Sequence, residues 1–109
     1  MSDLLIALQK LLPVYPFEAP QGTPIPYGVW VRNETPIRTK DGICGYEGTL
    51  TISVLAGTLE AVNALSTRII AVVDNTTFDN RDYYYESSSE ESYSDIGLVQ
   101  KDLIFNFLE

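Results

Sequence analysis

Carboxylates and a single thiol are the first candidates for acid–base or nucleophilic chemistry in a sequence that has 15 acidic residues, one cysteine and no histidine. Without histidine there is no Ser-His-Asp triad, no imidazole metal ligand and no usual partner for a catalytic Cys44 thiolate. The adjacent Glu90 and Glu91 lie in the polar stretch SSSEES, whereas catalytic carboxylates need an ordered, dry cleft. We therefore expect no enzymatic activity, no cofactor and no metal.

The acidic residues are concentrated in one part of the chain, which has a net charge of −8. Residues 74–95 contain seven acids and one base, and so carry −6 of that charge. This distribution argues against nucleic-acid binding through phosphate neutralisation. A run of this composition is typical of a solvated segment, so we expect a flexible acidic loop over about residues 86–95. The acidic candidates for a functional surface are Asp82, Glu86, Glu90, Glu91 and Asp95.

Aromatic and basic residues form a second set of candidates. Trp30 and Arg32 share one face of a predicted strand, and Tyr27 lies on the other. If the Tyr27 face packs under the helices, Trp30 is exposed and suits an interface anchor. If not, Trp30 packs under the proline-rich loop that precedes it, and the pattern does not choose between the two. The candidates for a subunit or partner interface are Tyr27, Trp30, Arg32, Arg38, Lys40 and Tyr84.

The elements that position these residues follow from apolar spacing and breakers. Leucines at helical spacing predict a first helix that ends before Pro13, and a second stripe predicts a helix over 58–75. Alternation is clearest over 46–56, which predicts a strand with one buried face and one polar face. Between the first helix and the first strand, residues 13–26 form a stiff, proline-rich arm. The remaining predicted strands are 27–34, a strand that ends near 87, and 96–109.

These elements predict one domain over residues 1–109. The order α-β-β-α-β-β implies an α+β fold, in which an antiparallel sheet of about four strands carries two helices on one face. No apolar run approaches the roughly 20 residues that span a bilayer, and Asp3 stands where a signal peptide would carry a basic residue. We therefore expect a protein made in the cytoplasm that does not bind membranes.

The whole arrangement resembles the small tail-completion, or tail-terminator, proteins of long-tailed bacteriophages and prophages. The similarity lies in the helix LLIALQKLL, the proline loop that runs into TPIPYGVWVR, and the stretch YEGTLTISVLAGTLEAVNALSTRIIAVV. Within that stretch a strand runs directly into the second helix, whose start carries Thr58 and Ala61 in the T-x-x-A pattern. The chain departs from the family pattern mainly over 79–95, which is acidic and rich in tyrosine.

The resemblance implies a structural role in the virion, in the neck of the tail. Members of this family form rings, typically hexamers, that cap the finished tail tube, stop its polymerisation and offer a surface to the head-side connector. DNA passes through the ring without specific binding. The implied partners are other copies of the chain, the tail tube protein and the connector protein. The acidic candidates would then line the lumen, a subunit interface or the outer rim.

A second hypothesis comes from a different class of protein. The predicted elements also fit a cytosolic ferredoxin-like α+β module that binds a ligand or regulates a partner as a dimer. Such a module needs a defined pocket with converging polar groups, and the sequence shows none. Mass in solution separates the hypotheses, because a ring and a tight dimer differ in the number of 12.2-kDa chains.

Overall fold

The computed structural model describes residues 3–93 and 96–109. Two helices and six strands follow one another in the order α-β-β-β-α-β-β-β. The helices are α1 (Asp3–Gln9) and α2 (Leu59–Val73), and the strands are β1 (Val14–Pro16), β2 (Tyr27–Thr39), β3 (Gly42–Ala56), β4 (Thr76–Phe78), β5 (Arg81–Tyr93) and β6 (Leu98–Leu108).

All six strands form one sheet in the order β1-β2-β3-β6-β5-β4. β1 runs parallel to β2, and every other neighbouring pair is antiparallel. The expected α+β fold with about four antiparallel strands is therefore wrong, because the protein is mostly β and its sheet is mixed. The two strands missing from the expected order, β1 and β4, have three residues each. Strands this short show no alternation and form only by pairing with a sheet edge.

The sheet curls into a half-barrel around the helices. The curl is visible in one contact, because Arg81 Nη2 of β5 lies 2.8 Å from Glu34 Oε2 of β2 although β6 and β3 lie between those strands. We call the helix-covered side the concave face and the other side the convex face.

The core fills the concave face. Alternate residues of β3 and β6 point inward, and α2 packs over them with α1 beside it. Thr58 caps α2 by accepting a hydrogen bond from the Ala61 N–H at 3.1 Å, which supports the predicted start of this helix. The buried core consists of Leu4, Leu8, Leu12, Val14, Leu50, Ile52, Val54, Ile69, Val73, Tyr83, Leu103, Phe105 and Phe107.

β2 continues through Pro36 to Thr39, further than the expected end at residue 34. The N–H of Gly28 donates to Pro13 O at 2.7 Å, and Trp30 O accepts from the Phe17 N–H at 3.0 Å. Backbone groups at even positions of β2 therefore point away from β3. Pro36 occupies one of these outward positions, where its missing N–H breaks no hydrogen bond with β3.

Two long hairpins extend from opposite ends of the sheet. β2 and β3 pair as far as Thr39 and Gly42, beyond the point where β6 ends opposite Glu47. β5 and β6 pair at the other end as far as Tyr93 and Leu98. The molecule is elongated, at 53 × 25 × 24 Å. Arg38 and Lys40 lie near one end and Glu90 and Glu91 near the other, whereas Asp82 lies at the end of the basic residues, opposite Leu108.

Candidate interaction surfaces

The basic candidates lie along β2, at the edge of the sheet, and in the turn that follows this strand. We define the basic edge as residues 31–40, which include Arg32, Arg38 and Lys40. Arg32 is exposed, and its guanidinium lies 5.9 Å from the centre of the Trp30 ring and 3.8 Å from the Glu34 carboxylate. Arg38 and Lys40 are exposed near the turn of the hairpin and form no ion pair with any residue in the described part of the chain.

Trp30 lies on the concave side, because its partner across the ladder is the buried Ile52. Its half-buried ring packs against the core and lies 6.5 Å from the ring of Phe17 in the proline-rich arm. Neither alternative left open by the sequence describes this position in full, because the ring packs against the core on the helix side and only Phe17 of the proline-rich arm lies near it. Tyr27 lies on the convex face instead, where its ring meets that of Tyr15 edge-on at 6.3 Å.

The acidic segment is a strand. Residues 86–93, which we expected to form a flexible loop, belong to β5 and pair with β6 from Ile104 to Leu98. Serine and glutamate have low strand propensity, but the hydrogen-bonded ladder with β6 outweighs that preference. All eight residues are exposed, so the side chains remain solvated although the backbone is ordered. We call this segment the acidic edge.

Several acidic candidates have partners within the chain. Glu90 lies 3.4 Å from Lys101 Nζ, and the Glu91 carboxylate accepts a hydrogen bond from the Tyr93 hydroxyl. That hydrogen bond to Glu91 raises the pKa of Tyr93 above its ordinary value, because it stabilises the protonated phenol. Asp82 accepts from the Thr77 hydroxyl.

The remaining acidic candidates differ in position. Glu86 is the extra residue of a bulge, where the ladder shifts between Tyr85 and Ser87. Asp95 lies outside the described residues. Tyr84, the last interface candidate, is 47% exposed. It lies opposite Asn106 on the convex face, where it is available to a partner.

Sequence reasoning missed a charged cluster that spans the concave face at one end of the half-barrel. Arg81, whose side chain is only 14% exposed, reaches Glu34 at 2.8 Å and Glu109 at 3.6 Å. Its guanidinium lies 4.9 Å from the centre of the Phe107 ring. Burial alone would lower the pKa of Arg81, but the attraction and hydrogen bond of Glu34, together with the attraction of Tyr83 and Glu109, outweigh it and raise that pKa. No spacing in the sequence joins Glu34 to Arg81, since the contact depends on the curl of the sheet.

Neither helix covers the convex face, which is mixed in polarity. β3 places threonines and Ser53 there, and β6 adds Gln100, Asp102 and Ile104. The proline-rich arm crosses part of this face, and a depression of about 300 Å³ between them is lined by Phe17, Glu18, Ala19, Tyr27, Val29, Ser53, Leu55 and Gln100.

Residues 3–93 and 96–109 contain no group of three or more metal-ligating side chains close enough to hold an ion. In the same part of the chain, neither helix has the length and apolar character needed to cross a bilayer.

The chain is similar to known proteins in fold and not in sequence. No family model matches the chain, and no curated protein sequence matches it. Among solved structures, the fold is similar to that of a chain in "Virion of native gene transfer agent (GTA) particle", with a TM-score of 0.71 and 13% sequence identity. The similarity covers 97% of this chain and 83% of that chain. At this identity the match shows a shared fold.

Proposed function

We propose that this protein is a structural component of a phage-like virion. The supporting observation is the fold, which this chain shares over 97% of its length with a chain of a gene transfer agent virion particle. The finer proposal is that copies of the chain form a ring, with six subunits expected, that caps the tail tube and stops its polymerisation. The ring would also present a surface to the head-side connector protein at the tail neck.

The arrangement of charges supports a ring. Subunits in a ring meet head to tail, so each needs two different patches that complement each other. The basic edge and the acidic edge are such a pair, and they lie on strands at opposite sides of the curled sheet. A symmetric dimer would need one self-complementary patch, and an acidic strand facing its own copy would be repelled.

We propose a structural role and no catalysis for this chain. A ring that conducts DNA should not hold it, and the net charge of −8 suits that requirement because acids repel phosphates. The acidic side chains that the proposed subunit contacts leave uncovered would provide this repulsion around the lumen. The protein would be made in the bacterial cytoplasm and would act in the virion.

A tube-elongation assay tests the capping role. Tail tube protein from the same virion is polymerised with and without the purified protein, and tube lengths are measured by electron microscopy. We expect the protein to stop elongation and to appear as extra density at one tube end. Unchanged lengths with no bound density would contradict the proposal.

Mass measurement tests the ring itself. Sedimentation over a range of concentrations, alone and with tubes, should show assemblies of about six 12.2-kDa chains. A tight dimer at every concentration, unchanged by tubes, would favour a regulatory module and contradict the ring.

A further inference from the structure

The two charged edges are also unpaired strand edges. On β2, β1 occupies the outward hydrogen-bonding groups at Gly28 and Trp30 and ends at Pro16. The same alternation turns the backbone groups of Arg32 and Glu34 outward, and no strand in the described part of the chain covers them. Pro36 lacks an N–H and limits the outward donors to these two positions.

The outer edge of β5, like that of β2, is only partly covered by a short strand. β4 pairs with β5 only over residues 81–83. Next to it, the Asn75 N–H donates to Tyr83 O at 2.7 Å, and the Tyr85 N–H donates to Asp74 Oδ1 at 2.8 Å. Among described residues, no strand pairs with the outer side of 86–93. The bulge at Glu86 shifts the alternation, so the outward backbone groups here belong to Ser88, Glu90 and Ser92.

Charge determines which strands can meet at these edges. Natural proteins protect open edges with charged residues, because an unprotected edge recruits other strands. Glutamates at 86, 90 and 91 repel a second acidic edge but attract the basic edge.

We propose that the acidic edge of one copy pairs antiparallel with the basic edge of the next copy, so that the sheets join into one closed barrel. This inference rests on the proposed ring and specifies its subunit contact. The strand directions agree, because three successive antiparallel steps from β2 through β3 and β6 to β5 leave β2 and β5 antiparallel. When a copy is rotated about an axis that runs roughly along the strands, its strand directions are kept. Its β5 then lies beside the β2 of a neighbouring copy in antiparallel orientation.

One register satisfies both the outward groups and the charges. With Arg32 opposite Glu90, Glu34 lies opposite Ser88, and all four residues have outward backbone groups. The pairs Arg32–Leu50 and Glu90–Lys101 place both charged side chains on the concave side. A shift of two residues in one direction would set Glu34 against Glu90, which like charges disfavour.

The geometry of closure also fits this register. Glu90 pairs with Lys101 of β6, which in turn pairs with Val54 of β3. Arg32 pairs with a different β3 residue, Leu50. The edges are therefore offset by four residues, or roughly 13 Å along the strands, over four strand spacings of about 4.8 Å. A closed ring accommodates this offset if its strands tilt by about 35° from the ring axis. This tilt falls within the range of about 35–45° that closed barrels adopt.

A disulfide experiment tests the register. In the proposed pairing Asn33 lies opposite Ser89 as a non-hydrogen-bonded pair, with Cα atoms about 4.5 Å apart, a separation that a disulfide spans. Both residues are exposed, so replacement by cysteine should not disturb the core. Two variants, Asn33→Cys and Ser89→Cys, are each made with Cys44→Ser to remove the native thiol.

Mild oxidation of the mixed variants at high concentration should give a covalent dimer that neither variant gives alone. The double variant should give a series of covalent oligomers that stops at the ring size. A mixture of Asn33→Cys with Thr67→Cys is the matched control, because Thr67 is exposed on α2 and should yield at least tenfold less dimer.

The outcomes separate this inference from the proposed function. Rings of normal mass without the cross-link between residues 33 and 89 would overturn the edge pairing and leave the ring standing. Equal cross-linking of either variant with itself would overturn the head-to-tail contact. Monomers at all concentrations, without cross-links and without binding to tubes, would overturn both.

A charge exchange gives a second measurement on the same contact. Arg32→Glu should weaken assembly at least tenfold, since it sets two glutamates opposite each other, and Glu90→Arg in the same chain should restore assembly. Circular dichroism checks that each variant folds. Failure of the second substitution to restore assembly of a folded first variant would count against the register.

Discussion

Gly48 is the position at which one added methyl group should test the curl of the sheet most directly. It lies in β3 opposite Glu34 of β2 and Phe107 of β6. A Cβ atom built there would lie 1.9 Å from the backbone oxygen of Asn33, whereas real Cβ contacts essentially never fall under 3.0 Å. The obstacle is backbone, so Gly48→Ala must push β2 away from β3.

The cost follows from the ladder between these strands. Asn33 and Thr49 pair directly, and the alternation along β2 turns the Asn33 backbone groups toward β3. A separation of about 1 Å stretches hydrogen bonds of about 2.9 Å beyond a useful length. Loss of two such bonds, at about 1 kcal/mol each, and the accompanying distortion give an expected destabilisation of about 2–3 kcal/mol. For a domain of this size, Tm should fall by roughly 10–20 °C.

Urea and thermal unfolding, followed by circular dichroism, measure this effect against two matched variants. Gly57→Ala meets only the side-chain tip of Ile25, at 3.4 Å, and should change stability by less than about 0.5 kcal/mol. Gly45→Ala approaches the oxygen of Glu109 at 3.2 Å and should be intermediate, because a shift of a few tenths of an ångström relieves this contact. Equal stability of the Gly48 and Gly57 variants would refute the close approach of β2 and β3.

Two further substitutions test local contacts. Asp74→Ala removes the carboxylate that accepts the Tyr85 N–H and should cost about 1 kcal/mol in urea unfolding, whereas Asp74→Asn should recover most of the loss because it keeps an acceptor. Glu91→Ala should lower the pKa of Tyr93 toward its ordinary value, as measured by ultraviolet titration of phenolate absorbance. Since the folded pKa is raised, the contact stabilises the protein below about pH 10 and is lost as pH rises through the raised pKa.

The sequence allowed prediction of the elements that have a strong period. The stripe of α2 spans 15 residues and the alternation of β3 spans residues 46–56, and both are long enough for one periodicity to exclude the other. Residues 86–93 could not be predicted in the same way, because their composition favours solvation and their strand structure depends on pairing with β6. The contact between Asp74 and Tyr85 could not be predicted either, since it depends on where the packed helix α2 ends relative to β5.

The face on which Trp30 lies shows why the candidate surface was only partly predictable. Tyr27 and the valines on one face of β2 are as apolar as Trp30 on the other, so the pattern alone leaves burial undecided. Gly28 determines the result, because a Cβ there would lie 2.9 Å from Val14 Cγ1 and 3.7 Å from Leu12 Cδ1. The missing side chain lets β1 and the residues after α1 approach this face, and Trp30 follows Gly28 to the concave side.

The acidic edge makes one further prediction, because it is a strand whose residues are all exposed in the single chain. Amide N–H groups of Ser87 and Ser89 point toward β6, whereas those of Ser88 and Glu90 point outward. In isolated chains the outward amides should therefore exchange with solvent at nearly unprotected rates, and the inward ones more slowly.

Assembly should protect the outward amides at least tenfold if the backbone of a neighbouring β2 accepts their hydrogen bonds. Hydrogen exchange measured by NMR in the single chain, and by exchange, quench and dissociation in the assembly, distinguishes the two sets. Protection confined to Ser87 and Ser89 in both states would mean that subunits meet through side chains alone.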